Sequence, residues 1–89
     1  MKIENLKLSI YSINQTLFEG NVERVTLPTP QGQITILENH IPLITLAQAG
    51  QILYYNPGTD WQQIPFSGGI VEIRPGSEVI ILAREKEMK

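Results

Sequence analysis

A two-layer, all-β sandwich is the fold class that this sequence of 89 residues predicts. Three observations carry the expectation. Apolar residues come in short blocks, several of them with strict apolar–polar alternation. Gly, Pro, Asn and Ser clusters interrupt the blocks at frequent intervals. No stretch of helical length carries the i, i+3, i+4 apolar spacing of an amphipathic helix. Short strands that each have an apolar face must bury it against a second sheet or close into a barrel, and the flattened, mostly antiparallel sandwich is favoured.

Leu6, Leu8 and Ile10 alternate with Lys7, Ser9 and Tyr11, so Leu6–Ile13 reads as a half-buried strand. Asn14-Gln15 turns the chain into a short strand, Thr16–Glu19, stopped by Gly20-Asn21. Val22–Leu27 follows, rich in β-branched residues. Pro28-Thr29-Pro30-Gln31-Gly32 is expected to break the ladder, because both prolines lack an N–H. Ile34–Leu37 is the next strand. Leu43–Ala49 is apolar on both parities, which predicts that both of its faces are covered; Gly50 ends it. Gln51–Tyr55 and Trp61–Phe66 flank Asn56-Pro57-Gly58-Thr59-Asp60 as a hairpin with a long loop. After the break at Ser67-Gly68-Gly69, Ile70–Arg74 and Glu78–Ala83 flank Pro75-Gly76-Ser77, a hairpin whose Pro-Gly fits a type II turn. The domain is expected over 1–84, with a short charged tail over 85–89 that is too short to hold a helix alone.

The formal net charge of −2 gives no basic face for phosphate contacts, so no nucleic-acid partner is expected. There is no cysteine for disulfides or thiolate metal ligation. Met1-Lys2-Ile3-Glu4-Asn5 lacks the apolar run of a signal peptide, and no segment is long and apolar enough to span a bilayer. The expectation is a protein kept in the cytoplasm or an equivalent compartment, without direct membrane insertion.

Candidate chemistry is sparse. His40 is the single histidine, with Glu38 two residues away, which in a strand would put them on one face. A pair alone makes neither a metal site nor a catalytic constellation. The carboxylates Glu19, Glu23, Asp60, Glu72 and Glu78 are spread one per element, as on solvated strand faces. Gly68-Gly69 lacks the lysine and following helix of a phosphate loop. Asn14-Gln15-Thr16 matches a glycosylation sequon without a secretory context. Trp61, Tyr54 and Tyr55 raise an alternative function, a stand-alone sandwich that binds a small ligand or carbohydrate on an aromatic platform. No catalytic residue, metal or cofactor is expected.

Three blocks carry a family resemblance. Phe18-Glu19-Gly20-Asn21-Val22-Glu23-Arg24-Val25 is similar to an F-x-G-x-V-x-x-V opening. Gln31 to Thr45, read as QGQITILENHIPLIT, is similar to G-E/Q-x-G-I-L-P-x-H-A-P-L-x-T. Phe66-Ser67-Gly68-Gly69-Ile70-Val71-Glu72-Ile73, with Val79-Ile80-Ile81-Leu82-Ala83, is similar to S-G-G-x-x-E-V…V-x-V-L-A. In order and spacing the three resemble the N-terminal domain of the epsilon subunit of F-type ATP synthases, over almost the whole chain.

The resemblance implies two five-stranded sheets, about ten short strands in all. It implies a non-catalytic rotor subunit that binds the gamma subunit and the c-subunit ring and couples ion translocation to ATP synthesis. The setting implied is the cytoplasmic face of a bacterial membrane, or a thylakoid, as a peripheral part of the complex. Ser12, His40 and Thr45 match positions that face gamma, with Pro42 and Leu43 as apolar anchors on the same segment. Gly32 and Gln33 match the position that reaches the c ring. Gln33 replaces a frequent glutamate, Thr35 a usual glycine, and Glu38 and Ile41 a usual proline and alanine. The family's C-terminal helical hairpin has no counterpart before Lys89, so the expectation is a short form without that inhibitory and ATP-sensing element.

Overall fold

Nine strands form in the computed structural model, which describes residues 6–84. They are β1 (Leu6–Tyr11), β2 (Thr16–Val22), β3 (Arg24–Thr29), β4 (Gly32–Ile36), β5 (Leu43–Ala47), β6 (Gly50–Tyr55), β7 (Gln62–Phe66), β8 (Gly69–Arg74) and β9 (Glu78–Ala83). A five-stranded sheet runs β2-β1-β9-β8-β5 and a four-stranded sheet runs β4-β3-β6-β7. The all-β expectation holds. Among the described residues the second sheet has four strands and not five. The tail over 85–89 lies outside the described residues.

Six strand pairs are antiparallel and one, β1 with β9, is parallel, from Lys7↔Glu78 to Tyr11↔Leu82. That pairing puts β1 inside its sheet, between β2 and β9. Period-2 alternation then sends Leu6, Leu8 and Ile10 into the core, each fully buried. Val71 and Ile73 from β8, with Val79 and Ile81 from β9, continue the same inner face. Val25 and Leu27 (β3), Ile36 (β4), Ile52 (β6) and Phe66 (β7) face them from the other sheet. Phe18 of β2 and Tyr54 of β6 close one flank between the layers, ring centroids 4.4 Å apart.

The expected ladder break at Pro28 does not occur: Pro28 pairs with Gln33 and Thr29 with Gly32. In an antiparallel strand the N–H and C=O of one residue point to the same side. The Pro28 carbonyl accepts from the amide of Gln48 at 2.9 Å, so its nitrogen is turned the same way, away from β4. The β3–β6 ladder has already ended at Thr26↔Leu53, and no partner is lost. Thr29 shapes the turn itself. Its buried hydroxyl donates to the Gly32 carbonyl at 2.7 Å and accepts from the Gln31 amide at 3.2 Å.

Other boundaries move for similar reasons. Gly20 does not end β2, because it pairs with Leu8 and the strand runs on to Val22. β1 stops at Tyr11, where the register shifts, and β5 stops at Ala47, where Gln48 leaves for Pro28. Glu38 lies in the loop after β4, so it does not share a strand face with His40. The Ser67-Gly68-Gly69 break clasps the end of β9: Ser67 Oγ donates to the Arg84 carbonyl at 2.6 Å and Arg84 N donates to the Gly68 carbonyl at 2.7 Å. A Cβ on Gly69 would run into the backbone carbonyl of Leu82.

Leu8→Ala is expected to destabilise by ~2–5 kcal/mol in urea unfolding, whereas Lys7→Ala, on the opposite face of the same strand, stays within ~0.5 kcal/mol. Gly69→Ala is expected to cost more than ~2 kcal/mol, because the colliding atom is backbone and cannot rotate away. Thr29→Val, which keeps the shape and removes the hydroxyl, is expected to cost ~1–2 kcal/mol in the same measurement.

Candidate functional site

The edge strand β5 and its neighbours β8 and β9 carry the most distinctive surface. On the outer face of the five-stranded sheet the register lays down two rows. Leu46, Ile70, Leu82 and Tyr11 form one, and Ile44, Glu72, Ile80 and Ser9 the other. Ile44 is 70% exposed, Leu46 61%, Ile70 44% and Leu82 50%. Four large aliphatic side chains on three adjacent strands make one contiguous apolar area, a feature that marks interaction surfaces. At its margin Arg74 Nε lies 3.2 Å from Glu72 Oε2. The hydrogen bond that Arg74 donates to Glu72, and then the charge of Glu72, raise the Arg74 guanidinium above its ordinary pKa.

Both-parity apolarity in β5 therefore has a different meaning from the one expected. The strand is not covered on two sides. It is an edge strand whose outward positions are apolar and bare.

The sequence-predicted residues distribute around this face. Pro42 leads into β5 and is exposed. Leu43 and Thr45 pair with Ile73 and Val71 and so share their inward parity. Leu43 nonetheless stays 42% exposed and Thr45 half-buried, since the edge leaves them partly uncovered. His40 lies in the loop before β5, half-buried, with Nδ1 2.8 Å from the Ile41 carbonyl. A carbonyl only accepts, so that geometry assigns the proton to Nδ1 and leaves Nε2 as the ring atom free for a partner.

Ser12 is not beside His40. It follows Tyr11 at the Leu82 end of the sheet, whereas Pro42 precedes Leu43 at the Ile73 end. The two flank the apolar face from opposite ends. Ser12 is held there by its own turn, its amide and hydroxyl both directed at the Gln15 carbonyl, at 2.8 and 3.3 Å.

Gly32 and Gln33 sit apart, at the start of β4, both exposed. Gly32 takes φ 122, a left-handed value that glycine adopts without strain, and the Thr29 hydroxyl pins its carbonyl. The turn approaches the far end of β5: Pro30, Leu46, Ala47 and Gln48 line one surface depression.

The aromatic residues do not form a shared platform. Adjacent residues of a strand point to opposite faces, and Tyr54 goes inward to Phe18 while Tyr55 goes outward. Tyr55 is capped by Trp61, centroids 5.3 Å apart, and by the Arg24 guanidinium, 5.2 Å from the ring centre. Four surface depressions are lined by other residues. Among the described residues no group of three or more His, Asp or Glu side chains is arranged to hold a metal ion.

Sequence reading missed Ile44, Leu46, Ile70 and Leu82 as one surface. The signal was present in β5 alone, in its unbroken apolar run. Ile70 and Leu82 joined it only once the strand order was known.

Comparison with known proteins agrees with this architecture. The sequence profile described as "ATP synthase, Delta/Epsilon chain, beta-sandwich domain" matches residues 5–89. The ATP synthase epsilon chain of Prochloron didemni is 34% identical over 83 residues, covering 93% of this chain and 60% of that one. That of Aquifex aeolicus is 38% identical over 80 residues, covering 90% of this chain and 58% of that one. This chain thus spans about 60% of the length of such relatives. A chain in the Euglena gracilis mitochondrial ATP synthase (OSCP/F1/c-ring) superposes with a TM-score of 0.83 at 19% identity, over 89% of this chain and 50% of that one. A chain in the Tetrahymena thermophila central stalk and c-ring gives 0.76 at 12% identity, over 96% and 67%. The likeness in these structures is one of fold, while the profile and the curated relatives fix the family: the chain belongs to the delta/epsilon chain family of ATP synthases, as its β-sandwich domain.

Proposed function

We propose that this chain acts as an epsilon-type rotor subunit that binds the gamma subunit through the outer face of its five-stranded sheet. The observation that carries the reading is the contiguous apolar area of Ile44, Leu46, Ile70 and Leu82. An exposed area of that kind on a small domain is costly in water and is covered in a working assembly. His40 borders it at one end and Ser12 at the other, polar groups at the margins of an apolar centre that Ile41 and Pro42 extend. Leu43 and Thr45 contribute from the exposed edge of β5.

The second contact runs through the β3–β4 turn. Gly32 and Gln33 stand on a hydroxyl-pinned hairpin and present an amide to the polar loops of the c-subunit ring. An amide gives and accepts hydrogen bonds without charge assistance, so this contact is the weaker of the two.

The role needs no bond chemistry. Ion flow turns the ring, and a rigid domain clamped to both the ring and gamma passes that rotation to the catalytic head as ATP synthesis. Two sheets with an interdigitated core resist the load. The subunit works as a peripheral, non-catalytic component on the cytoplasmic or equivalent face. Among the described residues no helix is long and apolar enough to cross a membrane.

Two outcomes are expected with purified gamma subunit in a surface-based binding assay. Leu46→Asp and Ile70→Asp each lower the affinity at least about a hundredfold, because each puts an unpaired charge at the interface centre. Gln63→Asp, on the outer face of the other sheet, changes it less than about twofold, and all three variants keep the native circular dichroism. Absence of gamma binding by the folded native chain at micromolar concentration would overturn the proposal. In reconstituted c-ring vesicles, Gln33→Ala is expected to reduce retention of the gamma–chain complex about threefold to tenfold, the scale of one hydrogen bond, with gamma affinity unchanged.

A further inference from the structure

The loop between β4 and β5 carries His40, Ile41 and Pro42 to the rim of the apolar face. Ile41 and Pro42 are exposed, so burial does little to fix the loop's shape. One contact outside the loop does. The Asn39 amide donates to Ser77 Oγ at 2.9 Å, across 38 positions of the chain.

Both residues in that contact have unusual backbones. Asn39 has φ 64 and Ser77 has φ 61, and among the described residues no other non-glycine residue has a positive φ. Asparagine enters this left-handed region readily, but serine does so seldom. Ser77 is held there from a second side. Its carbonyl accepts from the Lys7 amide at 2.9 Å, which ties the β8–β9 turn to the head of β1. Gly76, at φ 87, lets the chain reach that position. With its carbonyl accepting from β1, Ser77 meets the β4–β5 loop through its side-chain oxygen.

Pro42 of the loop and Pro75 of the turn line one shallow groove, together with Leu43 and Ile44 of β5 and Ile73 and Arg74 of β8.

We infer that Ser77 is a positioning residue: by accepting the Asn39 amide, its hydroxyl holds the β4–β5 loop so that His40, Ile41 and Pro42 stand preformed for the gamma subunit. The inference rests on the gamma-binding reading above. A loop ordered before binding does not lose its freedom on binding, and affinity is correspondingly higher.

The test uses the full chain with Ser77→Gly. Glycine accepts the left-handed backbone and keeps the carbonyl bond to Lys7 while removing the hydroxymethyl side chain. Three readings are taken: amide exchange by NMR, affinity for gamma, and melting temperature. Exchange at Asn39 is expected to accelerate about tenfold while the Val71 and Ile81 amides keep their protection. Affinity for gamma is expected to fall about threefold to tenfold, with the melting temperature within about 3 °C of the native chain. Unchanged exchange at Asn39 would overturn the inference, since the hydroxyl would then hold nothing. Lost protection with unchanged affinity would overturn it too, as would a fall in affinity that only accompanies loss of protection at Val71 and Ile81. A native chain that does not bind gamma at all refutes the parent reading and, with it, the purpose assigned to Ser77. That failure is visible in the native arm alone.

Discussion

The parallel pairing of β1 with β9 is the constraint on which the rest of the molecule depends. It joins residues 7–11 to residues 78–82, nearly the full length of the described chain. Without it the β1–β2 hairpin would have no sheet to enter, and β8 and β5 would have no path to β1. Such a contact closes a long loop and is expensive in chain entropy. The fully buried Leu6, Leu8 and Ile10 offset that cost against Val79 and Ile81. The clasp of Ser67 and Gly68 on Arg84 holds the far end of β9, and the Lys7–Ser77 bond holds its near end.

From that arrangement follows the division of labour between the faces. β5 is hung on the edge of the sheet by β8 alone, so its outward side chains have no third layer to meet. In an isolated domain such an edge strand is a hazard, because it invites unwanted association. Here the outward residues Ile44 and Leu46 line up with Ile70 and Leu82 into one surface, which turns the hazard into a docking face under the proposed function. The other outer face is used differently. Trp61 and Arg24 both pack on the Tyr55 ring, and Thr26 and Thr35 share a hydroxyl contact at 2.9 Å. Those groups find their partners within the sheet.

Much of the fold was legible in the sequence. Every strand was anticipated from alternation and turn residues, and the Pro75-Gly76 turn was placed on chemistry that the structure repeats in Gly76 at φ 87. The ladder at Pro28 was not legible, because whether a proline costs a hydrogen bond depends on which side its nitrogen faces. That side is set by where β6 leaves β3, a tertiary fact. The outer face was half legible: β5 announced itself by an unbroken apolar run, but Ile70 and Leu82 read as ordinary strand residues until β8 and β9 were placed beside it. Ser77 gave no signal, since a turn serine is unremarkable and its partner lies in a distant loop. Ser12 and His40, grouped by resemblance, prove to stand at opposite ends of one surface.

Under the proposed function gamma meets the outer face of the five-stranded sheet, with the β5 edge and the β4–β5 loop at its margin, and leaves the outer face of the other sheet free. The most direct measurement is methyl NMR of the isoleucine- and leucine-labelled chain titrated with unlabelled gamma subunit. Shifts or broadening confined to Ile44, Leu46, Ile70, Ile80 and Leu82, with Leu43 at the β5 edge and Ile41 at the rim, are the predicted result. Leu53 on the opposite outer face and the buried Ile52 should stay in place. Perturbation centred on the Leu53 methyls, with Leu46 and Ile70 unmoved, would contradict the account.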